Sequence, residues 1–322
     1  MKIRSVLLMC CISCFISVSV VNAGELELDK KWIKDHMNQA TTGRITFHIR
    51  EAKKTVNQIV SSGDDGDLHI AGDSKQIGLP MVAEIVNAKQ SLAAAKFAQG
   101  SKDKDVALNG VWRIWFEHPP SVKQKQFAKN PLTGHPTNPD HMFEIHPISL
   151  IGTFDLIDNL TRVEGYHAQK NALTFKSYET RTIDSWKVTS DSVIIESPRA
   201  VYNYADFVIR LTETPKKIAK NEDKPRYLAQ ADVLDTDCSV MKNKKGDNLV
   251  SAPRRMVFVE KDADKTIAKA KPGATFQVMG IPRVNLERLT FYLNHPTLFD
   301  KQKVFLPYEM IVIGAKAKTC KK

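Results

Sequence analysis

Short segments in which apolar and polar residues alternate recur along the chain. In residues 44–50, Ile45, Phe47 and Ile49 share one face of an extended segment, and polar side chains share the other. This period of two is typical of a strand with one buried face. Similar runs at 67–71, 79–86, 111–118 and 143–154 predict four more strands, and the Ala-, Lys- and Leu-rich run 90–97 predicts a short helix. The first half thus predicts three strands, a helix and two strands.

The second half predicts the same order of elements. Strands are expected at 201–211, 227–234, 253–260, 289–295 and 304–314, with a short helix at 263–270 before Pro272-Gly273. Two local matches support a duplication: residues 112–119 align with 289–296, and residues 148–152 align with 310–314. We therefore predict a tandem repeat.

This strand order resembles that of the OB-fold, a small five-stranded barrel. The resemblance implies a mainly β protein with two OB-like barrels, each with one short helix. We expect them at 24–157 and 199–322, joined by a β-rich connector at 158–198. It also implies a ligand surface on the barrel side, for an oligonucleotide, an oligosaccharide or a protein segment.

The first 23 residues have the pattern of a signal peptide. Lys2 and Arg4 precede an apolar run over residues 5–21, and small residues before Gly24 predict cleavage after Ala23. The run is shorter than the roughly 20 residues that span a bilayer, which favours cleavage over a retained anchor. We expect a periplasmic or secreted protein without a transmembrane segment.

Two cysteines remain after such a cleavage, Cys238 and Cys320. In an oxidising compartment they are expected to form one disulfide. A zinc site is the alternative, but neither residue has a second cysteine at CxxC spacing.

Charge is concentrated in the second half. Residues 24–150 carry 16 Lys and Arg against 15 Asp and Glu, whereas residues 151–322 carry 29 against 21. A basic second half is able to attract a polyanion or an anionic surface of the cell envelope. Solvated loop lysines are the alternative interpretation.

The predicted strand 111–118 suggests a binding face. Alternation places Arg113, Trp115 and Glu117 together, away from the apolar residues of the same strand. Tyr292 occupies the matching outer position in the predicted strand of the second half. An aromatic ring between polar groups is suited to stacking on a base or a sugar. Alternatively, Trp115 packs beneath the connector or between the barrels.

Imidazoles and carboxylates are most concentrated at residues 135–147. Glu144 and His146 face the same way on a strand, so they are candidates for binding a divalent metal or sharing a proton. The spacing matches no known metal motif, and a structural turn is the alternative. We expect His69, Glu144 and His146 to border a ligand site.

The run Asp65-Gly66-Asp67, followed by Leu68-His69-Ile70, is similar to the start of the second strand in staphylococcal-type nucleases. These exported OB-fold enzymes use calcium, carboxylates and arginines on a phosphodiester. The resemblance is limited to this tripeptide and the barrel order, because the following strand has no arginine. Only Asp67 and Glu84 remain as metal ligands that it suggests.

The sequence has no Gly-x-Ser-x-Gly, phosphate-binding glycine loop, dinucleotide fingerprint or His-Glu-x-x-His motif. We therefore predict an exported, non-catalytic protein that holds an extended ligand on outer strand faces, with no cofactor required. The alternative is a metal-dependent phosphodiesterase or nuclease that uses Asp67, Glu84, Glu144 and His146. A third possibility is a structural role at the cell envelope.

Overall fold

The computed structural model describes residues 23–59, 65–166, 170–218, 222–295, 297 and 304–321. The predicted signal peptide, apart from Ala23, lies outside these residues. Within the described ranges, no helix combines the length and the apolar character needed to cross a bilayer.

The first half of the chain is built mainly from strands. They are β1 (Ala23–Asp29), β2 (Ile45–Ala52), β3 (Leu68–Asp73), β4 (Pro80–Ile85), β5 (Lys104–His118), β6 (Gln124–Lys125), β7 (Gly134–His135), β8 (Asn138–Pro139), β9 (His141–Ile151) and β10 (Phe154–Asp155). Helix α1 (Lys30–His36) follows β1, and helix α2 (Leu92–Gln99) lies between β4 and β5.

Five of these strands form a closed barrel. Antiparallel pairs join β2 to β3, β3 to β4, β9 to β5 and β5 to β2, and a parallel pair joins β4 to β9. The predicted five-stranded barrel is therefore confirmed for this half. Gly66 supports the turn before β3, because its φ of +68° is easily adopted only without a side chain.

The second half is also mainly β. Its strands are β11 (Thr182–Ile183), β12 (Ser185–Val188), β13 (Ser192–Pro198), β14 (Ala205–Leu211), β15 (Lys216–Lys217), β16 (Tyr227–Leu234), β17 (Arg254–Phe258), β18 (Thr275–Val284), β19 (Val304–Phe305) and β20 (Tyr308–Ala317). Its helices are α3 (Asn171–Glu179), α4 (Ala263–Thr266) and α5 (Leu286–Asn294).

The strand predicted at 289–295 is wrong, because residues 289–294 belong to α5 and His295 follows its end. The side chain of Asn285 caps this helix by accepting a hydrogen bond from the Arg288 amide at 2.9 Å. Leu286 and Leu289 are buried three residues apart, which is the spacing of one helix face. The proposed match between 112–119 and 289–296 therefore joins a strand to a helix and is also wrong.

The missing strand of the second half is β18. It pairs antiparallel with β14 and with β20, and β20 pairs parallel with β17. Strand β16 pairs antiparallel with both β17 and β14. The order of pairings is thus the same as among β2, β3, β4, β5 and β9.

The segment 158–198, expected to be a β-rich connector, contains α3 and strands β11 to β13. Strand β13 pairs antiparallel with β1 along its whole length, in a four-stranded sheet with β12 and β6. This segment therefore packs onto the start of the described chain.

The two halves share an apolar interface. A cluster of buried side chains includes Val86 and Val111 from the first half and Val257, Ile281 and Ile311 from the second. Near this interface, β5 and β18 run close to each other. The outer face of the barrel at β5 is consequently covered.

The predicted disulfide is present. Cys238, in the loop after β16, is bonded to Cys320, which follows β20, across 82 residues of sequence.

Candidate functional site

A cluster of ionisable side chains lies on the outer face of the barrel, where β3, β4 and β9 run side by side. His69 on β3 is directly opposite Glu84 on β4, and His146 lies on the neighbouring strand β9. The turn before β3 adds Asp65 and Asp67. All of these side chains are buried except that of His69, which is 19% exposed. The fold thus brings together groups from three separate stretches of sequence.

His146 is at the centre of the cluster. Its Nδ1 lies 2.9 Å from Oε2 of Glu84 and 3.4 Å from Oε2 of Glu144. Its Nε2 lies 2.9 Å from the hydroxyl of Tyr204 and 3.9 Å from Oδ2 of Asp65. A buried tyrosine from the second half therefore orients this imidazole.

His69 forms the second part of the cluster. Its Nε2 is 2.7 Å from Oδ2 of Asp67 and 3.8 Å from Oε1 of Glu84. The amide of Asn57 donates a hydrogen bond to the other oxygen of Asp67. Glu84 thus stands between the two imidazoles.

Arg113 on β5 compensates the charge of Glu144. Its guanidinium donates to Oε2 of Glu144 and, at 3.1–3.2 Å, to Oε2 of Glu117. Nε2 of His141 is 3.1 Å from the other oxygen of Glu144. Both carboxylate oxygens of Glu144 therefore already have a partner.

The pKa values of the carboxyl groups at the centre are shifted in different directions. Burial, reinforced by the nearby charge of Asp67, raises the pKa of Asp65 well above its usual range. Burial also raises the pKa of Glu84. For Asp67, burial acts in the same direction, but bonding to His69 outweighs it and lowers the pKa. Negative charge is thus costly at Asp65 and Glu84 unless a cation lies between them.

Two overlapping sets of side chains place possible metal-ligand atoms within 4.8 Å of one another. One set is Asp65, Glu84 and His146, and the other is Asp67, His69 and Glu84. Carboxylate oxygens and imidazole nitrogens are common ligands of divalent ions. Glu144, named as a metal ligand from the sequence, is instead paired with Arg113 and belongs to neither set.

Of the residues predicted to border a ligand, His69, Glu144 and His146 are brought together with Arg113 and Glu117. Arg113 is buried, however, and its Nε donates to the carbonyl of Pro282 at 2.9 Å. Trp115 is 2% exposed and packs edge-on against Tyr178 of α3. The exposed stacking face expected at Arg113 and Trp115 is therefore not formed.

Tyr292 lies elsewhere, in a cleft of about 470 Å³. The floor of this cleft includes Gln230 of β16 and Arg255 of β17, and α5 contributes Arg288, Phe291 and Tyr292. Phe291 is 44% exposed. Although Tyr292 is on a helix and not on a strand, it does line a surface with aromatic and cationic groups.

Sequence reasoning missed two members of the cluster as ligands or partners. Asp65 belongs to the Asp-Gly-Asp run that the sequence singled out, so its spacing to Asp67 was a usable signal. Tyr204 gave no such signal, because only the packing of the two halves brings its hydroxyl to His146.

Comparisons with known proteins leave the chain without an assigned family. No family model and no curated protein matches it. Among solved structures, a murine DNA binding protein bound with double-stranded DNA is 8% identical and covers 87% of this chain and 100% of its own, with a TM-score of 0.19. The wild-type single-stranded DNA binding protein from Thermus aquaticus is 6% identical and covers 88% and 96%, with a TM-score of 0.22. At these TM-scores the likeness carries no argument about ligand or function.

Proposed function

We propose that this protein is a non-catalytic binding protein that holds an extended anionic ligand, a single-stranded oligonucleotide, in the cleft of its second half. The observation that carries the proposal is the cleft itself, where the exposed rings of Phe291 and Phe305 and the exposed Arg288 line one surface with residues of β16 and β17. Such a combination suits a ligand with a charged backbone and flat rings.

The position of the cleft beside β16 and β17 supports this proposal. We propose that the second half forms an OB-like barrel, because its strands pair in the same order as those of the closed barrel. In this order, β16 and β17 are the second and third strands, whose outer face carries ligands in OB-folds. Helices α2 and α4 occupy the same place in the two halves, which supports a duplicated fold.

The aromatic rings provide the stacking contacts. Phe291 and Phe305 are 44% and 49% exposed at the cleft, and Tyr292 lies beside Phe291 with ring centroids 6.4 Å apart. Exposure of two phenylalanines in one concave surface has a cost in water, which a stacked ligand removes.

Arg288 provides the positive charge for contact with a phosphate of the ligand. It is exposed at the cleft and forms no ion pair among the residues that the structure describes. In contrast, Arg254 is bonded to Glu179, and Arg255 is bonded to Glu309 and Glu287. Arg288 is therefore the arginine best placed to meet a phosphate.

Hydrolysis is the weaker hypothesis. The carboxylates and imidazoles named for a phosphodiesterase are present as a cluster, but Asp67, Glu84, Glu144 and His146 are all buried. A phosphodiester must reach both the metal and a base to be cleaved. We therefore propose binding at the cleft rather than catalysis at the cluster.

We also propose that the protein acts in the periplasm or outside the cell. The disulfide between Cys238 and Cys320 supports this proposal, because such bonds persist in oxidising compartments. An oligosaccharide, an envelope protein or an anionic surface is the alternative partner for the same cleft and basic half.

Fluorescence anisotropy of a labelled single-stranded oligonucleotide tests this function. We expect anisotropy to rise on addition of the protein and the affinity to fall with salt. Arg288→Glu should weaken binding at least 10-fold, and Tyr292→Ala should weaken it by about 1–3 kcal/mol. Arg44→Glu, a charge reversal at an exposed arginine of the first half, is the matched control and should cause a smaller loss.

Three results would contradict the proposal. No change at low salt would exclude nucleic acid and direct attention to labelled oligosaccharides. A fall below the anisotropy of the free probe would indicate cleavage. Equal losses from Arg288→Glu and Arg44→Glu, with none from Tyr292→Ala, would indicate docking through overall charge.

A further inference from the structure

We infer that Asp65, Glu84 and His146 bind one divalent first-row transition-metal ion such as Zn²⁺, at the junction between the barrel and the second half. This site lies on β4, β9 and the turn before β3, apart from the cleft proposed for the oligonucleotide. The inference is therefore independent of the proposed function.

The three ligand atoms are buried and contact charged groups of the cluster, but they form no hydrogen bond of normal geometry. Oδ2 of Asp65, Oε2 of Glu84 and Nδ1 of His146 are inaccessible to solvent, and none of them forms a hydrogen bond within the part of the chain that the structure describes. Nδ1 and Oε2 are only 2.9 Å apart, yet they are not oriented as donor and acceptor. Buried polar atoms are normally hydrogen-bonded, so three buried atoms of one cluster without a hydrogen bond require an explanation.

A metal ion would provide that explanation. In a tetrahedral zinc site with ligands at about 2.1 Å, neighbouring ligand atoms are about 3.4 Å apart. The separation of 2.9 Å between Nδ1 of His146 and Oε2 of Glu84 is shorter than this value by about 0.5 Å, so the two atoms would move apart when the ion binds. Small rotations of the two side chains would suffice to accommodate the ion.

The surroundings of His146 are those of a metal-bound imidazole. Its second nitrogen, Nε2, lies 2.9 Å from the hydroxyl of Tyr204. In the tautomer in which Nε2 donates this hydrogen bond, Nδ1 carries a lone pair and is the atom that would bind the metal. Metal-ligating histidines usually donate their other N–H to an oxygen, which fixes the orientation of the ring. A nitrogen ligand beside two carboxylates favours a transition metal over Ca²⁺ or Mg²⁺, which prefer oxygen.

In the second half, the positions that correspond to Glu84 and His146 contain apolar residues, as a comparison of the strand pairs shows. Ala83 pairs with Ile145 in the barrel, and Met256 pairs with Met310 in the second half. One residue further along each strand, Glu84 and His146 correspond to Val257 and Ile311. These two apolar residues are opposite each other and fully buried. This register of strand pairing differs by three residues from the predicted match of 148–152 with 310–314, which is therefore wrong.

This correspondence indicates that packing alone does not require ionisable residues at these two positions. Apolar side chains are enough to fill the face at Val257 and Ile311, so ionisable groups at Glu84 and His146 are not required to build such a face. Burying a carboxylate and an imidazole has a cost that a valine and an isoleucine avoid. A bound cation offsets that cost and gives a reason for these residues.

Metal analysis of the purified protein tests the inference. After incubation with Zn²⁺ and dialysis, we expect one ion per chain and a higher melting temperature. The double substitution Glu84→Val and His146→Ile, which copies the second half, should abolish binding while keeping the fold. His48→Gln, at an exposed histidine paired with Asp105, is the matched control and should retain one ion per chain.

Further variants keep the test decisive if the double substitution fails to fold. Asp65→Asn should reduce zinc affinity at least 100-fold, because it removes a charged ligand. Tyr204→Phe should reduce it about 10- to 100-fold through the orientation of His146. With Co²⁺ in place of Zn²⁺, the spectrum should show nitrogen and oxygen ligands without a thiolate band.

Three outcomes would overturn the inference. These are a folded wild-type protein that retains no zinc, a folded Asp65→Asn variant that binds it as well as wild type, and a thiolate band in the cobalt spectrum. Arg288→Glu should weaken oligonucleotide binding at least 10-fold, whereas Asp65→Asn should leave it unchanged. This contrast distinguishes failure of the metal site from failure of the proposed function.

Discussion

Arg113 and Arg283 make reciprocal contacts across the two halves of the protein. Nε of Arg113 donates to the carbonyl of Pro282 at 2.9 Å, and Nη1 of Arg283 donates to the carbonyl of Trp112 at 3.0 Å. Each arginine thus binds the backbone immediately before the other. Two long side chains, both fully buried, hold β5 and β18 together.

The acidic partners of these arginines are also arranged alike. Glu144 lies opposite Arg113 in the pairing of β9 with β5, and Glu309 lies opposite Arg283 in the pairing of β20 with β18. Both carboxylates form an ion pair with their arginine. The interface therefore depends on charges that are fully removed from water.

Substitution of Arg283 should destabilise the protein strongly. Arg283→Met leaves Glu309 with Arg255 alone and removes donors to the carbonyls of Trp112, Ala40 and Gln39. Because a buried charge loses a partner, we expect a loss of about 3–5 kcal/mol in urea unfolding. Arg210→Met, at an exposed pair with Asp232, should cost less than about 1 kcal/mol. Equal effects of the two substitutions would refute the role of the interface.

Trp115 should matter for stability and not for ligand binding. Trp115→Ala removes a buried ring that contacts Tyr178, so the free energy of unfolding should fall by about 3–5 kcal/mol. At a temperature where the variant is folded, its affinity for the oligonucleotide should equal that of the wild type. A variant of normal stability with weakened binding would restore Trp115 as a contact residue.

Acid should lower the free energy of unfolding through protonation of Glu27. The bond to Lys123, aided by Lys125 and Ser192, lowers the pKa of Glu27 from its ordinary value of 4.5 to about 2, against the effect of burial. Because the pKa is lower in the folded state, the stabilisation is complete above about pH 4.5 and is lost as the pH falls toward 2. It amounts to about 1–3 kcal/mol.

Urea unfolding at several pH values measures this effect. Glu27→Gln should flatten the dependence of stability on pH between about 4.5 and 2. Glu25→Gln, at a more exposed carboxylate that also contacts Lys123, is the control and should leave most of the slope. An unchanged slope in Glu27→Gln would contradict the assignment.

Reduction of the disulfide should destabilise the second half. The bond between Cys238 and Cys320 closes 82 residues, so its loss restores conformational entropy to the unfolded chain and should cost about 4 kcal/mol. Cys238→Ser and Cys320→Ser should give equal losses, and a reducing agent should affect only the wild type. A reducing agent that leaves wild-type stability unchanged would show that the bond contributes little.

The alternation of residues was sufficient to find most strands. Strand β16 begins and ends at the predicted residues 227 and 234, and the order of elements in the first half led to the closed barrel. Local patterning failed at residues 289–295. Leu289, Phe291 and Leu293 alternate as in a strand. These residues nevertheless form a helix, which Asn285 caps and which has Leu286 and Leu289 on its buried face.

For the cluster, the sequence indicated residue types and shared faces but not their surroundings. Glu144 and His146 do face the same way, as their spacing required. The pairing of distant strands decides these surroundings. Arg113 neutralises Glu144, and Asp65 instead of Glu144 joins Glu84 and His146 as a possible metal ligand.

The sequence by itself determined the mainly β character, the strands of the barrel and the pair of cysteines, because each of these depends on a local period or on residue type. Only the tertiary structure decided that Trp115 is covered, that β18 and not 289–295 is a strand, and that a tyrosine from the second half meets His146. The physical reason is that alternation reveals which side chains share a face. What covers that face depends on contacts between segments far apart in the chain.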